Sequence, residues 1–306
     1  GLNMSEIVLK TIEKFKQEWG KADAKRDEGL STSPKGIKRY DNLSYGPHGK
    51  DNLFDIYLPE DHDLPIPMLI SIHGGGFFYG NKEGYQFYCL GMAQRGFGVI
   101  NFNYRLAPDH PYPAALEDVN EMMNWLGNHV RDYGLDPQSV FVVGDSAGGQ
   151  LAEQYLTILS NPDFKKLFDY NSPKLRILAT GLNSALSCLA DPESMPEDSE
   201  VEAYFGKNAL EKWGQQLRTE EYLTKDFPPV YIVTAVDDFL KHQSLQLAEK
   251  LKKVGVNVQQ RVFSDDQHPR GHDFQLDQRD ELAKECNDLE ADFFRNIYES
   301  SNRSVE

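Results

Sequence analysis

Val140-Phe141-Val142-Val143-Gly144-Asp145-Ser146-Ala147-Gly148-Gly149 is the stretch on which the fold turns. Four β-branched or aromatic residues make a buried strand, and the apolar spacing from Ala147 to Leu159 makes a helix. A serine projected from so tight a strand-to-helix turn needs small neighbours two residues away on each side, because the backbone there is strained and passes close to adjacent elements. Gly144 and Gly148 supply them, and Asp145 sits between. The helix start adds free N–H groups and a positive electrostatic end, favouring negative charge that develops beside Ser146. An ordinary glycine-rich turn is the bland alternative; the strand before it and the helix after it argue for a nucleophile.

Outward from this turn the chain keeps one rhythm. Strand-like runs at 67–73, 98–104, 140–144, 175–180, 230–235 and 256–263 alternate with helical patterns at 82–95, 113–132, 147–159, 240–254 and 277–298. Such alternation predicts an α/β fold with a mostly parallel central sheet and helices on both faces. Between Ile37 and Leu58, short β-like stretches around the turn signal Gly46-Pro47-His48-Gly49 predict two antiparallel strands at a sheet edge. Ile7, Val8, Ile12, Phe15 and Trp19 recur at helical spacing, so residues 1–36 form an N-terminal helix and lead-in, and 37–306 the main domain. The interval 187–227 has no strand signal. An excursion of that length at the C-terminal edge of a parallel sheet is expected to be a small helical cap over the site, helped by the N-terminal helix.

A second glycine cluster, His73-Gly74-Gly75-Gly76-Phe77, follows the strand that ends near Ile72. Three glycines in a row let backbone N–H groups face a cavity unobstructed, as stabilising a tetrahedral oxyanion requires. A phosphate cradle would want Lys-Ser or Lys-Thr after the glycines, whereas Phe77-Phe78-Tyr79 follow.

Ser146 needs a base, and the base an orienting carboxylate. Of eight histidines, only His268 and His272 lie in the loop after the last strand. His272, between Gly271 and Asp273-Phe274, is favoured over His268, which precedes a proline and reads as a surface residue. A metal reading of Asp265, Asp266, His268 and His272 is poor, lacking a further histidine, cysteine or E-x-x-H helix. The carboxylate is expected in the loop after strand 230–235, where Asp237 and Asp238 are adjacent; they point in different directions, and the residues alone do not choose between them.

Composition sets the boundaries. The chain has 306 residues, 40% hydrophobic and 26% charged, enough for a sizeable core. Its net charge of −16 repels phosphate backbones and anionic headgroups, so neither nucleic acid nor a membrane is an expected partner. No apolar run approaches the ~18 residues of a membrane span. Cys89, Cys188 and Cys286 are widely spaced and include no C-x-x-C pair, which fits a reducing cytoplasm. The start, Gly1-Leu2-Asn3-Met4, lacks the pattern of a secretory signal, and Met4 reads as the initiator behind a short added leader. The acidic stretch 191–198 reads as a solvated loop, since its carboxylates follow neither helix nor calcium-loop spacing.

These blocks together resemble the α/β-hydrolase superfamily, and within it the hormone-sensitive-lipase-like esterases. The resemblance rests on His73-Gly74-Gly75-Gly76-Phe77, Tyr104-Arg105-Leu106-Ala107-Pro108, Pro113-Ala114-Ala115-Leu116-Glu117-Asp118, Gly144-Asp145-Ser146-Ala147-Gly148-Gly149, Phe227-Pro228-Pro229, Asp238-Phe239-Leu240 and His272-Asp273-Phe274, over about residues 50–295. It implies Asp238 as the acid, because the family's acid precedes a Pro-Leu-like pair; Phe239 departs from that pattern and keeps Asp237 as second choice. It implies oxyanion donors at Gly75, Gly76 and Ala147, and a supporting, non-basic role for His73. The order Ser146, Asp238, His272 matches the superfamily's order of nucleophile, acid and base.

The expected activity is therefore hydrolysis of short acyl esters, acetyl to butyryl, through an acyl-enzyme, with no metal or organic cofactor and a small-molecule ester as partner. Activity should fall in acid, where a histidine base of ordinary pKa, about 6.5, is protonated. Similar enzymes deacetylate sugars, and Tyr204, Trp213 and Tyr222 are candidates for stacking on a sugar ring, against the plainer reading that they are cap core. A carbohydrate acetyl or feruloyl esterase is thus one alternative. A non-catalytic ligand-binding protein on the same scaffold is another. The resemblance allows a homodimer, although no segment reveals an interface, and a peptidase reading lacks any site for a peptide terminus.

Overall fold

Along the central strands, successive side chains enter two different cores. Met68, Ile70 and Ile72 join one cluster and Leu69 the other; Val140 and Val142 alternate in the same way with Phe141 and Val143. Burial on both faces explains why these strands read as unbroken apolar runs. The computed structural model describes residues 5–305, so the expected leader Gly1–Met4 lies outside the described residues.

Eight strands form one sheet: β1 (Ile37–Ser44), β2 (Leu53–Pro59), β3 (Ile66–Ile72), β4 (Gly98–Phe102), β5 (Leu135–Asp145), β6 (Ile177–Asn183), β7 (Val230–Ala235) and β8 (Val258–Phe263). Their order is β1-β2-β4-β3-β5-β6-β7-β8. β1 pairs antiparallel with β2, and β2 antiparallel with β4, while β4 through β8 run parallel. β5 begins earlier than its apolar run because Leu135 and Asp136 pair with Ile66 and Pro67 before the register shifts.

The helices are α1 (Glu6–Asp27), α2 (Lys82–Gln94), α3 (Ala114–His129), α4 (Ala147–Ser160), α5 (Pro162–Lys165), α6 (Glu202–Phe205), α7 (Ala209–Trp213), α8 (Lys241–Lys253) and α9 (Glu281–Val305). Buried residues of α3, α4 and α8 join the first core, and those of α2 and α9 the second, so helices cover both faces. No helix among the described residues is long and apolar enough to cross a membrane.

Chain direction across the sheet reverses between β3 and β5, and open α/β sheets form a ligand crevice at such a switch point, beyond the strand C-termini. The loops carrying Gly74–Gly76 and Ser146 leave the sheet there. The interval 184–229 between β6 and β7 holds only short α and 3-10 helices. α1 lies against it: Ser5 Oγ caps the helix by accepting from Val8 N–H (3.2 Å) and donates to Asp198 (3.0 Å). Val8 and Ile12 are buried, and Trp19 stacks on Phe78 with ring centroids 5.2 Å apart.

Candidate active site

Ser146, between β5 and α4, has a backbone conformation that L-residues rarely adopt, φ 52° and ψ −118°. Strain of this kind costs on the order of 1–3 kcal/mol and needs restraint from its surroundings. Here Ser146 N–H donates to Asn183 O (3.0 Å), and Ser146 O accepts from Gly149, Gln150 and Leu186 N–H at 3.0–3.2 Å. Gly148 is required by proximity, since a Cβ there would lie 2.0 Å from Ile72 O. Gly75, at φ 120°, would place a Cβ 2.0 Å from Tyr79 O.

Ser146 Oγ lies 2.9 Å from His272 Nε2, and His272 Nδ1 lies 2.8 Å from Asp238 Oδ1. Asp238 follows β7 and is buried; its Oδ2 accepts from Thr234 Oγ1 (2.7 Å) and its Oδ1 from Leu240 N–H (3.0 Å). Burial pushes the Asp238 carboxyl up, but the hydrogen bond and charge of His272 with these donors outweigh it, and its pKa lies below the ordinary value. The structure thus brings Asp238, not Asp237, to His272. Asp237 is exposed, its N–H bonded to Arg270 O. Phe239, the departure from the family pattern, places its ring 4.5 Å from that of His272 and is 69% exposed. His268 stays in the exposed loop, its N–H on Asp265.

His73 is buried with its ring stacked on Tyr104 at 4.2 Å, and its Nδ1 is 2.6 Å from Gly74 O. Burial pulls its pKa down to about 4, so it stays neutral at neutral pH, where Nδ1–H donates to Gly74 O and braces the loop. Gly74 N–H donates to Asp145 Oδ1 (3.1 Å), tying the glycine loop to the serine turn. Gly75, Gly76 and Ala147 line the same chamber as Ser146 and His272.

That chamber has a volume of about 930 Å³. α1 contributes Phe15, Trp19, Ala22, Asp23 and Arg26; the β6–β7 interval contributes Glu193, Ser194, Pro196, Ser199, Glu200 and Val201. Arg26 is held in ion pairs with Asp23 (3.1 Å) and Asp27 (2.8 Å), and Tyr79 O–H donates to Asp23 (2.7 Å). The three aromatics offered for sugar stacking are elsewhere, which overturns that role. Tyr204 is buried against Phe77 (4.3 Å), Trp213 meets Tyr112 (4.7 Å) and Tyr222 meets Phe164 (4.6 Å). They fill cap core because they sit on short helices whose inner face has to bury apolar area.

Sequence reasoning missed Tyr85 and Asp273. Tyr85 O–H donates to Asp145 Oδ2 (2.7 Å) from α2, and nothing local marks it. Asp273 has φ 58°, a left-handed conformation that aspartate tolerates better than most residues, and its Oδ2 lies 3.5 Å from His272 Nε2. Burial, then its neighbour Asp273, holds the Asp145 carboxyl well above its ordinary range; burial, with the charge of Asp238, pushes Asp273 up to about 7. Among the described residues, one group could offer three ligand atoms to a cation, Asp191, Glu193 and His242, all within 4.8 Å of one another; it is largely exposed.

Residues 69–271 match the model of a family described as the alpha/beta hydrolase fold. The chain is 33% identical over 232 residues to the "Probable carboxylic ester hydrolase LipM" of Mycobacterium tuberculosis, covering 70% of this chain and 52% of that protein. It is 28% identical over 229 residues to the ethyl acetate hydrolase of Pseudomonas putida, covering 68% of each. The chain therefore spans about half the length of the first of these relatives and about two thirds of the second. The crystal structure of esterase B from Lactobacillus rhamnosis superposes with a TM-score of 0.88 at 21% identity over 98% of both chains, a likeness of fold. The chain belongs to the α/β-hydrolase fold family.

Proposed function

We propose that the protein is a serine carboxylic-ester hydrolase for short acyl chains, and the contact that carries this reading is the relay Ser146 Oγ, His272 Nε2 and Nδ1, Asp238 Oδ1, with spacings of 2.9 and 2.8 Å. Ser146 Oγ attacks the ester carbonyl carbon while His272 Nε2 takes its proton; Asp238, ionised and buried, holds the Nδ1–H tautomer and stabilises the imidazolium. The N–H groups of Gly75, Gly76 and Ala147 face the carbonyl oxygen as its charge develops. The carbon–alkoxide bond breaks, Nε2–H returns the proton to the departing alcohol, and water repeats the sequence on the acyl-enzyme. No step calls for a metal or an organic cofactor.

The relatives named as ester hydrolases support the reaction class, and one named for ethyl acetate supports a short acyl group. The chamber volume exceeds what a butyryl ester needs, which leaves room for a bulky alcohol. α1 and the β6–β7 interval act as one lid, joined through Ser5 and Asp198 and together lining the chamber. Three free, buried cysteines support a reducing, cytoplasmic setting. The test is hydrolysis of chromogenic esters from acetyl to dodecanoyl at neutral pH, with Ser146→Ala as the blank. A Ser146-dependent rate that falls beyond butyryl is expected. A rate that climbs with chain length overturns the short-chain reading, and the absence of any Ser146-dependent rate overturns the hydrolase reading.

A further inference from the structure

His272 Nε2 faces two side chains. One is Ser146 Oγ at 2.9 Å; the other is Asp273 Oδ2 at 3.5 Å. The reaction scheme uses the first and leaves the second without a task. Asp273 is held in place from both ends of its residue: its N–H donates to the buried Ser184 hydroxyl (3.2 Å), and its left-handed backbone turns the carboxyl back toward the ring that precedes it. Its Oδ1 is buried and has no hydrogen-bond partner among the described residues.

The groups around this carboxyl come from five parts of the fold. Asp145 faces it from the end of β5, Tyr85 from α2, Asp238 from the turn after β7 and Arg26 from α1, with His272 and Gln275 on its own loop. Two carboxyls buried side by side do not both ionise cheaply, so the Asp145 and Asp273 pair keeps one proton through neutrality and takes on its negative charge as pH rises through about 7. Both oxygens of Asp145 are already taken, Oδ1 by Gly74 N–H and Oδ2 by Tyr85 O–H. Asp273 Oδ2 is the oxygen of the pair that points at His272.

We propose that Asp273 is a positioning residue acting through His272: the charge it shares with Asp145 lies beside Nε2 and stabilises the imidazolium while the ring carries the serine proton. This rests on the hydrolase reading above. No proton leaves the pair during turnover; the one that moves passes from Ser146 Oγ to Nε2 and on to the alcohol. The carboxylate of Asp238 acts on the opposite nitrogen, so the ring is stabilised from both ends.

The test compares wild type, Asp273→Asn and Asp273→Gly in Ser146-dependent butyryl ester hydrolysis across pH 5–9. Glycine accepts the left-handed backbone freely, so one variant stays folded if the other does not. Removing a negative charge at this distance is expected to move the acid-side midpoint of kcat/KM about one pH unit lower and to reduce plateau kcat about tenfold with KM little changed. A merely structural role would lower kcat without moving the midpoint, and a midpoint unmoved in both variants overturns the proposal. The ring titration of His272 by nitrogen NMR separates this from the broader reading. Should wild type show no Ser146-dependent hydrolysis, the hydrolase reading fails, while a midpoint that drops in Asp273→Asn upholds the coupling and one that stays overturns it.

Discussion

Replacing Glu290 by glutamine should stabilise the protein, and only above acid pH. Glu290 lies on α9 and is fully buried. Its Oε1 accepts from Tyr88 O–H (2.5 Å), while its Oε2 has no partner among the described residues and lies near Gly181. Burial pushes its pKa up to about 7, against the pull of the hydrogen bond from Tyr88. In the unfolded chain the carboxyl ionises near the ordinary glutamate value of 4.5. Between those two values the folded state binds more protons than the unfolded state, so stability falls as pH rises from about 4.5 to 7 and the loss is complete above. The rise from 4.5 to about 7, at ~1.4 kcal/mol per pH unit, makes this about 3.5 kcal/mol as an upper figure. Glutamine keeps an acceptor for Tyr88 and has no charge to bury. At pH 4.5 variant and wild type should unfold alike; at pH 8 the variant should be more stable by up to ~3.5 kcal/mol, or roughly 5 °C in Tm for a chain of this size. Urea unfolding at pH 4.5, 6 and 8, followed by circular dichroism, reads both. A stability difference that does not change with pH would refute the reasoning.

The remaining predictions concern the site. Asp238→Asn should lower kcat on butyryl esters about 10³- to 10⁴-fold, because the buried carboxylate fixing Nδ1–H is lost, whereas exposed Asp237→Asn should stay within about twofold; steady-state rates measured side by side decide between them. Gly148→Ala should cost about 3 kcal/mol or more, since the added methyl has to displace the backbone at Ile72 O, 2.0 Å away; a melting temperature within about 1 °C of wild type would show that the turn has room for the methyl.

Much of this architecture was legible because its signals are local. Strands buried on both faces read as apolar runs, and the glycines around Ser146 mark a close approach that the contact of Gly148 with Ile72 bears out. Asp237 and Asp238 were separable from residues only through a family pattern, since adjacent side chains carry no signal for which one turns inward; burial of Asp238 against Thr234 and His272 supplies the physical reason. What was not legible depends on contacts far apart in sequence. Asp145 and Asp273 meet across the sheet edge, Tyr85 reaches them from α2, and Arg26 lines the chamber from α1 while paired with residues of its own helix. None of these follows from a period or a spacing. Tyr204, Trp213 and Tyr222 show the converse limit: an aromatic on a short helix carries the same local signature whether it meets a ligand or a neighbour, and here all three meet neighbours.

The central claim is that Ser146 takes up the acyl group. Rapid acid quenching of the protein during turnover of a butyryl ester, followed by peptide mass spectrometry, tests it most directly. One butyryl group on the peptide containing Ser146, absent from Ser146→Ala, is the expected result. Turnover without any acyl adduct, or an adduct on another residue that persists in Ser146→Ala, would contradict it.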